Sequence, residues 1–183
     1  MRRLPCHPYV QYIDTDIDSV CQACFVRVTM TRMILFAREG SQGSAGVMAL
    51  RVLIADDHVA LRRSLIRALQ SDSGMEVVGE AGDGGMAVEL AKTLNPDIVI
   101  MDIVMPLVNG IDATRQIVRD CPHTHVIGLS VHTSKAYATR MLDAGASAYV
   151  LKSGDLDELV HAVEAATRGQ TYLSPEILDP GRH

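Results

Sequence analysis

Residues 97–102 read Asp-Ile-Val-Ile-Met-Asp, a run of four apolar residues, three of them β-branched, between two carboxylates. A run this short and this uniformly apolar fits a strand buried on both faces, because a half-exposed strand would alternate. Comparable runs occur at 51–55, 76–80, 126–130 and 148–151. Between them lie stretches with helical spacing. In the first, Leu61, Leu65, Ala68 and Leu69 share a face, and Arg62, Arg63, Arg67 and Gln70 are expected to face away. In the last, Leu156, Leu159, Val160, Val163 and Ala166 form the stripe, Asp155 and Glu158 have capping-box spacing, and Gly169 fits a stop. Gly145 fits the same role for the helix before it. Strand and helix alternate five times with short loops. This predicts an α/β fold, a five-stranded parallel sheet with helices on both faces and right-handed crossovers.

The totals agree. Apolar residues make up 48 % of the 183-residue chain and Trp is absent, so the core is built from aliphatic side chains. The net charge of −5 is unevenly spread: residues 1–50 carry five basic and four acidic groups, the rest 12 basic and 18 acidic. An acidic domain is poorly suited to non-specific nucleic-acid binding, and no direct DNA binding is expected of it. Three of the four cysteines fall within the first 24 residues, so they do not frame the domain; a reducing, cytoplasmic setting is the simplest reading. The most apolar stretch, 25–36, is too short for a membrane span and carries Arg27 and Arg32.

Organisation follows from patterning. Residues 1–47 are a poorly patterned extension, expected to be dispensable, and residues 40–47 within it read as a flexible linker. The domain is expected over 48–170, and 171–183 as a C-terminal tail. With Pro175 and Pro180, that tail is too short and too interrupted for a helix-turn-helix unit.

In parallel α/β folds ligands sit beyond the carboxyl ends of the strands. Asp56 and Asp57 follow the first strand, Asp102 ends the third, Ser130 the fourth, and Lys152 follows the fifth. If the first and third strands are neighbours, all five converge on one rim. Three clustered carboxylates repel, and Mg²⁺ is the natural compensating cation. Lys152 adds a fixed positive charge and Ser130 a hydroxyl. Such a set can neutralise and align a transferring phosphoryl group.

Ala-Asp56-Asp57-His58, Met101-Asp102-Ile-Val-Met105-Pro106 with Gly110, Leu-Ser130 and Ala-Tyr149-Val-Leu-Lys152 together resemble the response-regulator receiver domain, the CheY-like fold. The resemblance spans about 125 residues, 48–173. It implies that Asp102 is the phosphoacceptor and that Asp57 binds Mg²⁺ directly, with Asp56 assisting. It further implies a backbone carbonyl of Val104 on the metal and Lys152 on a phosphoryl oxygen. Ser130 and Tyr149 would form a switch pair. The implied partner is a sensor histidine kinase or phosphotransfer protein, with a homodimer on phosphorylation as a further expectation. The chain would be a phosphoacceptor rather than an enzyme. Ala-Asp-Asp-His, Leu-Ser-Val-His and Gly-Gln-Thr-Tyr-Leu-Ser-Pro resemble the NarL/FixJ-like subgroup, which usually continues into a helix-turn-helix domain.

Other signals compete. Gly82-Asp-Gly84-Gly-Met-Ala87 matches a dinucleotide fingerprint, with Asp102 twenty residues beyond Gly82. A small nucleotide-binding α/β protein is therefore the alternative, although it leaves Asp56, Asp57 and Lys152 without a task; a turn before the second helix is the simpler reading. An interaction module that no longer uses phosphorylation is a third class, opposed by the complete acidic set. Cys21-x-x-Cys24 with Cys6 and His7 is an incomplete metal pattern, and His58, His123, His125 and His132 have no metal spacing.

Overall fold

The computed structural model describes residues 49–178, Ser73 excepted. The expected linker, the Cys21–Cys24 pair and the N-terminal extension lie outside the described residues. Five strands fall where the apolar runs predict: β1 (Leu50–Ala55), β2 (Met75–Ala81), β3 (Ile98–Asp102), β4 (His125–Ser130) and β5 (Ala148–Leu151). The intervening helices are α1 (Val59–Asp72), α2 (Gly84–Leu94), α3 (Gly110–Asp120), α4 (Lys135–Asp143) and α5 (Leu156–Thr167).

Among the described residues the sheet has six strands rather than five. Residues expected to be tail supply β6 (Tyr172–Leu173) and a one-turn helix α6 (Pro175–Leu178). β6 pairs in parallel with β5, with Ala148 opposite Tyr172 and Tyr149 opposite Leu173. Tyr172, Leu173, Ser174 and Ile177 are buried, so the folded unit extends past residue 170. A two-residue strand has no periodicity of its own, which is why the pattern did not reveal it.

All strands are parallel, in the order β2-β1-β3-β4-β5-β6. Each strand alternates its side chains between two apolar layers. Val52, Ile54, Ile98 and Ile100 pack with Leu65 and Ile66 of α1 and Leu159, Ala162 and Val163 of α5. Leu53, Val99, Met101 and Val126 pack against Ala87, Val88, Ile111, Ile117 and Met141 from α2, α3 and α4. Both faces are covered, which accounts for uninterrupted apolar runs in place of alternation.

Local chemistry sets the helix ends. Asp83, Asn109, Ser134 and Asp155 cap α2, α3, α4 and α5, each accepting from a backbone N–H in the first turn. Only half of the expected capping box forms on α5. Asp155 accepts from the Glu158 N–H, but the Glu158 carboxylate turns instead to Ser174 Oγ and Tyr172 Oη. Gly145 and Gly169 take left-handed φ values of 97° and 72° just past their helices, as predicted from their positions.

Candidate functional site

The order of the strands reverses between β1 and β3. β1 has β2 on one side and β3 on the other, so a crevice opens at their carboxyl ends. Asp56 follows β1, and Asp102 is the last residue of β3. Both carboxylates are buried. Lys152, one residue beyond β5, reaches across β4 to both of them. Its Nζ lies 2.7 Å from Asp56 Oδ2 and 2.8 Å from Asp102 Oδ2.

This bridge settles the charge states in part. Burial alone would lower the Lys152 pKa; the bonds to Asp102 and Asp56 outweigh it and hold the ammonium above its usual value. Burial raises the Asp102 pKa, the contact with Lys152 opposes that, and the Asp56 charge adds to it. A divalent cation beside Asp102 would oppose the burial effect and favour the ionised carboxylate.

Asp57 completes the acidic set. Its Oδ1 is buried and has no hydrogen-bond partner among the described residues. The His58 Nδ1 lies 2.7 Å away, close enough for an ion pair but outside hydrogen-bond geometry. One ligand atom from each of Asp56, Asp57, His58 and Asp102 falls within 4.8 Å of the others. An orphaned carboxylate oxygen inside an oxygen-rich cluster is what a hard divalent cation requires, so these residues fit Mg²⁺.

The remaining expected residues also gather here. The Val104 N–H points at Asp102 Oδ1, 3.3 Å away. Ser130 is buried, and its Oγ accepts from the His132 N–H at 3.0 Å. Tyr149 is fully buried, and its hydroxyl donates to the His132 carbonyl at 2.6 Å. Ser130 and Tyr149 are thus tied to the two backbone groups of one residue.

Two residues differ from their sequence reading. Arg62, expected to face away, is half-buried: its Nε meets Glu80 Oε2 at 2.8 Å and its guanidinium donates to the Asp56 carbonyl. It braces the Asp56–Asp57 turn from below. Its place one turn into the helix that starts beside the Asp pair was the available signal. His58, read as having no metal spacing, joins the acidic cluster because it is adjacent to two of its members rather than one helical turn away.

The dinucleotide alternative loses its binding groups. The Gly84 N–H, which a phosphate would need, donates to the Val108 carbonyl at 3.1 Å. A Cβ at Gly84 would collide with that same carbonyl, so the glycine serves loop packing. The motif also follows β2, an edge strand that lies outside the β1–β3 switch point.

Fold and site together define a CheY-like doubly wound α/β domain with a lysine-bridged acidic pocket at its switch point. Residues 52–164 match the family described as the response regulator receiver domain, and the chain belongs to that family. The transcriptional regulatory protein DegU of Brevibacillus brevis is 41 % identical over 128 residues, covering 70 % of this chain and 54 % of that protein. The response regulator GacA of Pseudomonas aeruginosa is 38 % identical over 128 residues, 70 % of this chain and 60 % of that one. The chain therefore spans just over half the length of these curated relatives. Among solved structures, a LuxR-family two-component response regulator from Aurantimonas superposes with a TM-score of 0.68 at 38 % identity, covering 71 % of this chain and 93 % of that one. The receiver domain of the putative response regulator NarL from Mycobacterium tuberculosis gives 0.62 at 35 % identity, covering 66 % and 98 %. No helix among the described residues is long and apolar enough to cross a membrane.

Proposed function

We propose that Asp102 accepts a phosphoryl group from a phosphohistidine of a sensor histidine kinase or phosphotransfer protein. An Asp102 carboxylate oxygen attacks phosphorus, the P–N bond to the donor imidazole breaks, and an acyl phosphate forms. The observation that carries this reading is the Lys152 ammonium within 2.8 Å of both Asp56 and Asp102, beside an Asp57 Oδ1 that has no hydrogen-bond partner among the described residues. Asp57, Asp102 and the Val104 carbonyl would hold Mg²⁺, with Asp56 assisting. When bound, the cation supplies charge neutralisation at the phosphoryl oxygens. Lys152 moves from its carboxylate partners to a phosphoryl oxygen. Ser130 leaves the His132 N–H for another phosphoryl oxygen, and its link through His132 carries the change to Tyr149.

The domain is then a phosphoacceptor switch, with slow self-dephosphorylation. The NarL/FixJ-like motifs and the DegU and GacA relatives support that subgroup. Its acidic surface favours output through protein contacts, including pairing of phosphorylated copies, over direct DNA contact by this domain. A cytoplasmic location follows from the kinase partner. Incubation with Mg²⁺ and a small phosphodonor, followed by mass spectrometry, tests the reading. Label on Asp102 and its loss in Asp102→Asn are expected; wild-type labelling of that variant on another residue overturns it.

A further inference from the structure

We propose that His58 is a nitrogen ligand of this pocket and biases it toward a borderline transition ion of the zinc, cobalt and nickel group over Mg²⁺. The inference rests on reading the acidic pocket as a cation site.

The carboxylate oxygens of Asp56 and Asp102 are already engaged. Lys152 takes Oδ2 of Asp56 and Oδ2 of Asp102. Asp56 Oδ1 accepts the His58 N–H at 2.8 Å, and Asp102 Oδ1 accepts the Val104 N–H, so each keeps a second lone pair. Asp57 Oδ1 is buried and has no hydrogen-bond partner among the described residues. Three carboxylates and one ammonium leave a formal −2, which one divalent ion cancels.

His58 stands at this open side. Its Nδ1 is 2.7 Å from Asp57 Oδ1 and 3.5 Å from Asp56 Oδ1. Two donors bonded to one ion at about 2.1 Å and at right angles lie about 3.0 Å apart, and trans donors about 4.2 Å apart. The His58 separations bracket the cis value, and the full four-residue set stays within 4.8 Å. The ring is 72 % exposed, so it can meet an ion at the pocket mouth without moving the core. In the Nε2–H tautomer Nδ1 carries the lone pair that binds metal.

Donor chemistry gives the direction. Mg²⁺ takes oxygen ligands and keeps several waters, so it gains little from an imidazole. Zinc, cobalt and nickel ions bind imidazole well, and in mixed nitrogen–oxygen sites their affinity rises along the divalent series. One nitrogen among carboxylates therefore strengthens binding of these ions and leaves Mg²⁺ nearly unaffected.

The test titrates the full chain with Co²⁺, following visible ligand-field absorption, with Zn²⁺ as competitor and a Mg²⁺ thermal-shift series in parallel. Wild type is expected to bind Co²⁺ and Zn²⁺ more tightly than Mg²⁺. His58→Ala should weaken both by about tenfold or more, the loss that even outer-sphere partners of metal ligands carry. It should also shift the cobalt bands, while the apparent Mg²⁺ affinity changes by less than about twofold. Asp57→Ala should lose all three ions, which separates this pocket from other histidines. Unchanged cobalt affinity and bands in His58→Ala overturn the inference, as does wild type binding Co²⁺ no tighter than Mg²⁺. If Mg²⁺ stabilises neither protein, the cation reading itself falls, whatever His58 does.

Discussion

Lys152 is the residue on which the pocket's electrostatics turn. It is nearly buried between Asp56 and Asp102, so its removal leaves two close carboxylates without their counter-charge. Losing one partner of a buried ion pair costs about 3–5 kcal/mol. Lys152→Met should lower stability by that order in the presence of a chelator, and Mg²⁺ should restore much of it; urea unfolding with and without Mg²⁺ measures both. Equal midpoints for variant and wild type in chelator would contradict the bridge. A second residue responds to pH. Burial lowers the His125 pKa from its ordinary value of 6.5, with the Asp97 charge opposing, so folding disfavours the protonated imidazole. The unfolded chain then binds more protons below pH 6.5, and this part of the stability is lost as pH falls from 6.5 through the folded pKa. His125→Gln should flatten the melting temperature between pH 7 and 5 relative to wild type; parallel curves would refute the assignment. At this scale the sequence already pointed to Asp56, Asp57, Asp102, Ser130 and Lys152 as strand-end residues. It did not reveal Arg62 beneath the Asp turn, because helical spacing reports apolar faces and not which cation bends back to a carbonyl.

Among the elements, β6 and α6 depart furthest from expectation. Ser174 links them to the working rim: its Oγ accepts the Leu151 N–H at 2.9 Å and donates to the Glu158 carboxylate. Leu151 immediately precedes Lys152, so the C-terminal segment supports the strand end that carries the lysine. Ile177 anchors the segment in the layer shared with Ala138 and Tyr149. Ile177→Ala should cost about 2–5 kcal/mol, the range for truncating a buried aliphatic side chain. A loss under 0.5 kcal/mol on chemical denaturation would mean the segment is an unattached tail after all. This short strand was illegible because its two residues gain their ladder bonds from β5. The glycine-rich turn at 82–87 was misleading for a related reason: its spacing is compatible with a phosphate cradle, and only the Val108 carbonyl on the Gly84 N–H shows the group to be spent.

For the molecule as a whole, the proposed function would make the pocket couple cation binding to stability and phosphorylation to shape. Mg²⁺ at a hundredfold excess over its Kd should stabilise the fold by about 2.7 kcal/mol, raising the melting temperature by several degrees. Asp57→Ala should lose most of that gain, and an unaltered Mg²⁺ response in the variant would remove Asp57 from the ligand set. For the proposed switch, the contacts offer one route outward. Ser130 Oγ and the Tyr149 hydroxyl hold the His132 backbone, and the His132 ring stacks on Tyr137 of α4 with centroids 4.5 Å apart. Beryllofluoride with Mg²⁺ should therefore shift amide signals across 130–152; shifts confined to residues lining the metal pocket would break the proposed relay. The sequence by itself determined the alternation of buried strands and amphipathic helices and the placing of carboxylates, serine and lysine at strand ends. Those features are local, since side-chain periodicity and capping act within a few residues. Only the tertiary structure decided that β1 lies beside β3, that β6 adds an edge strand next to β5, and that Lys152 meets Asp56 across 96 residues of chain. Pairing between distant segments is selected by how the two apolar layers close over the whole sheet, and no window of sequence contains both partners.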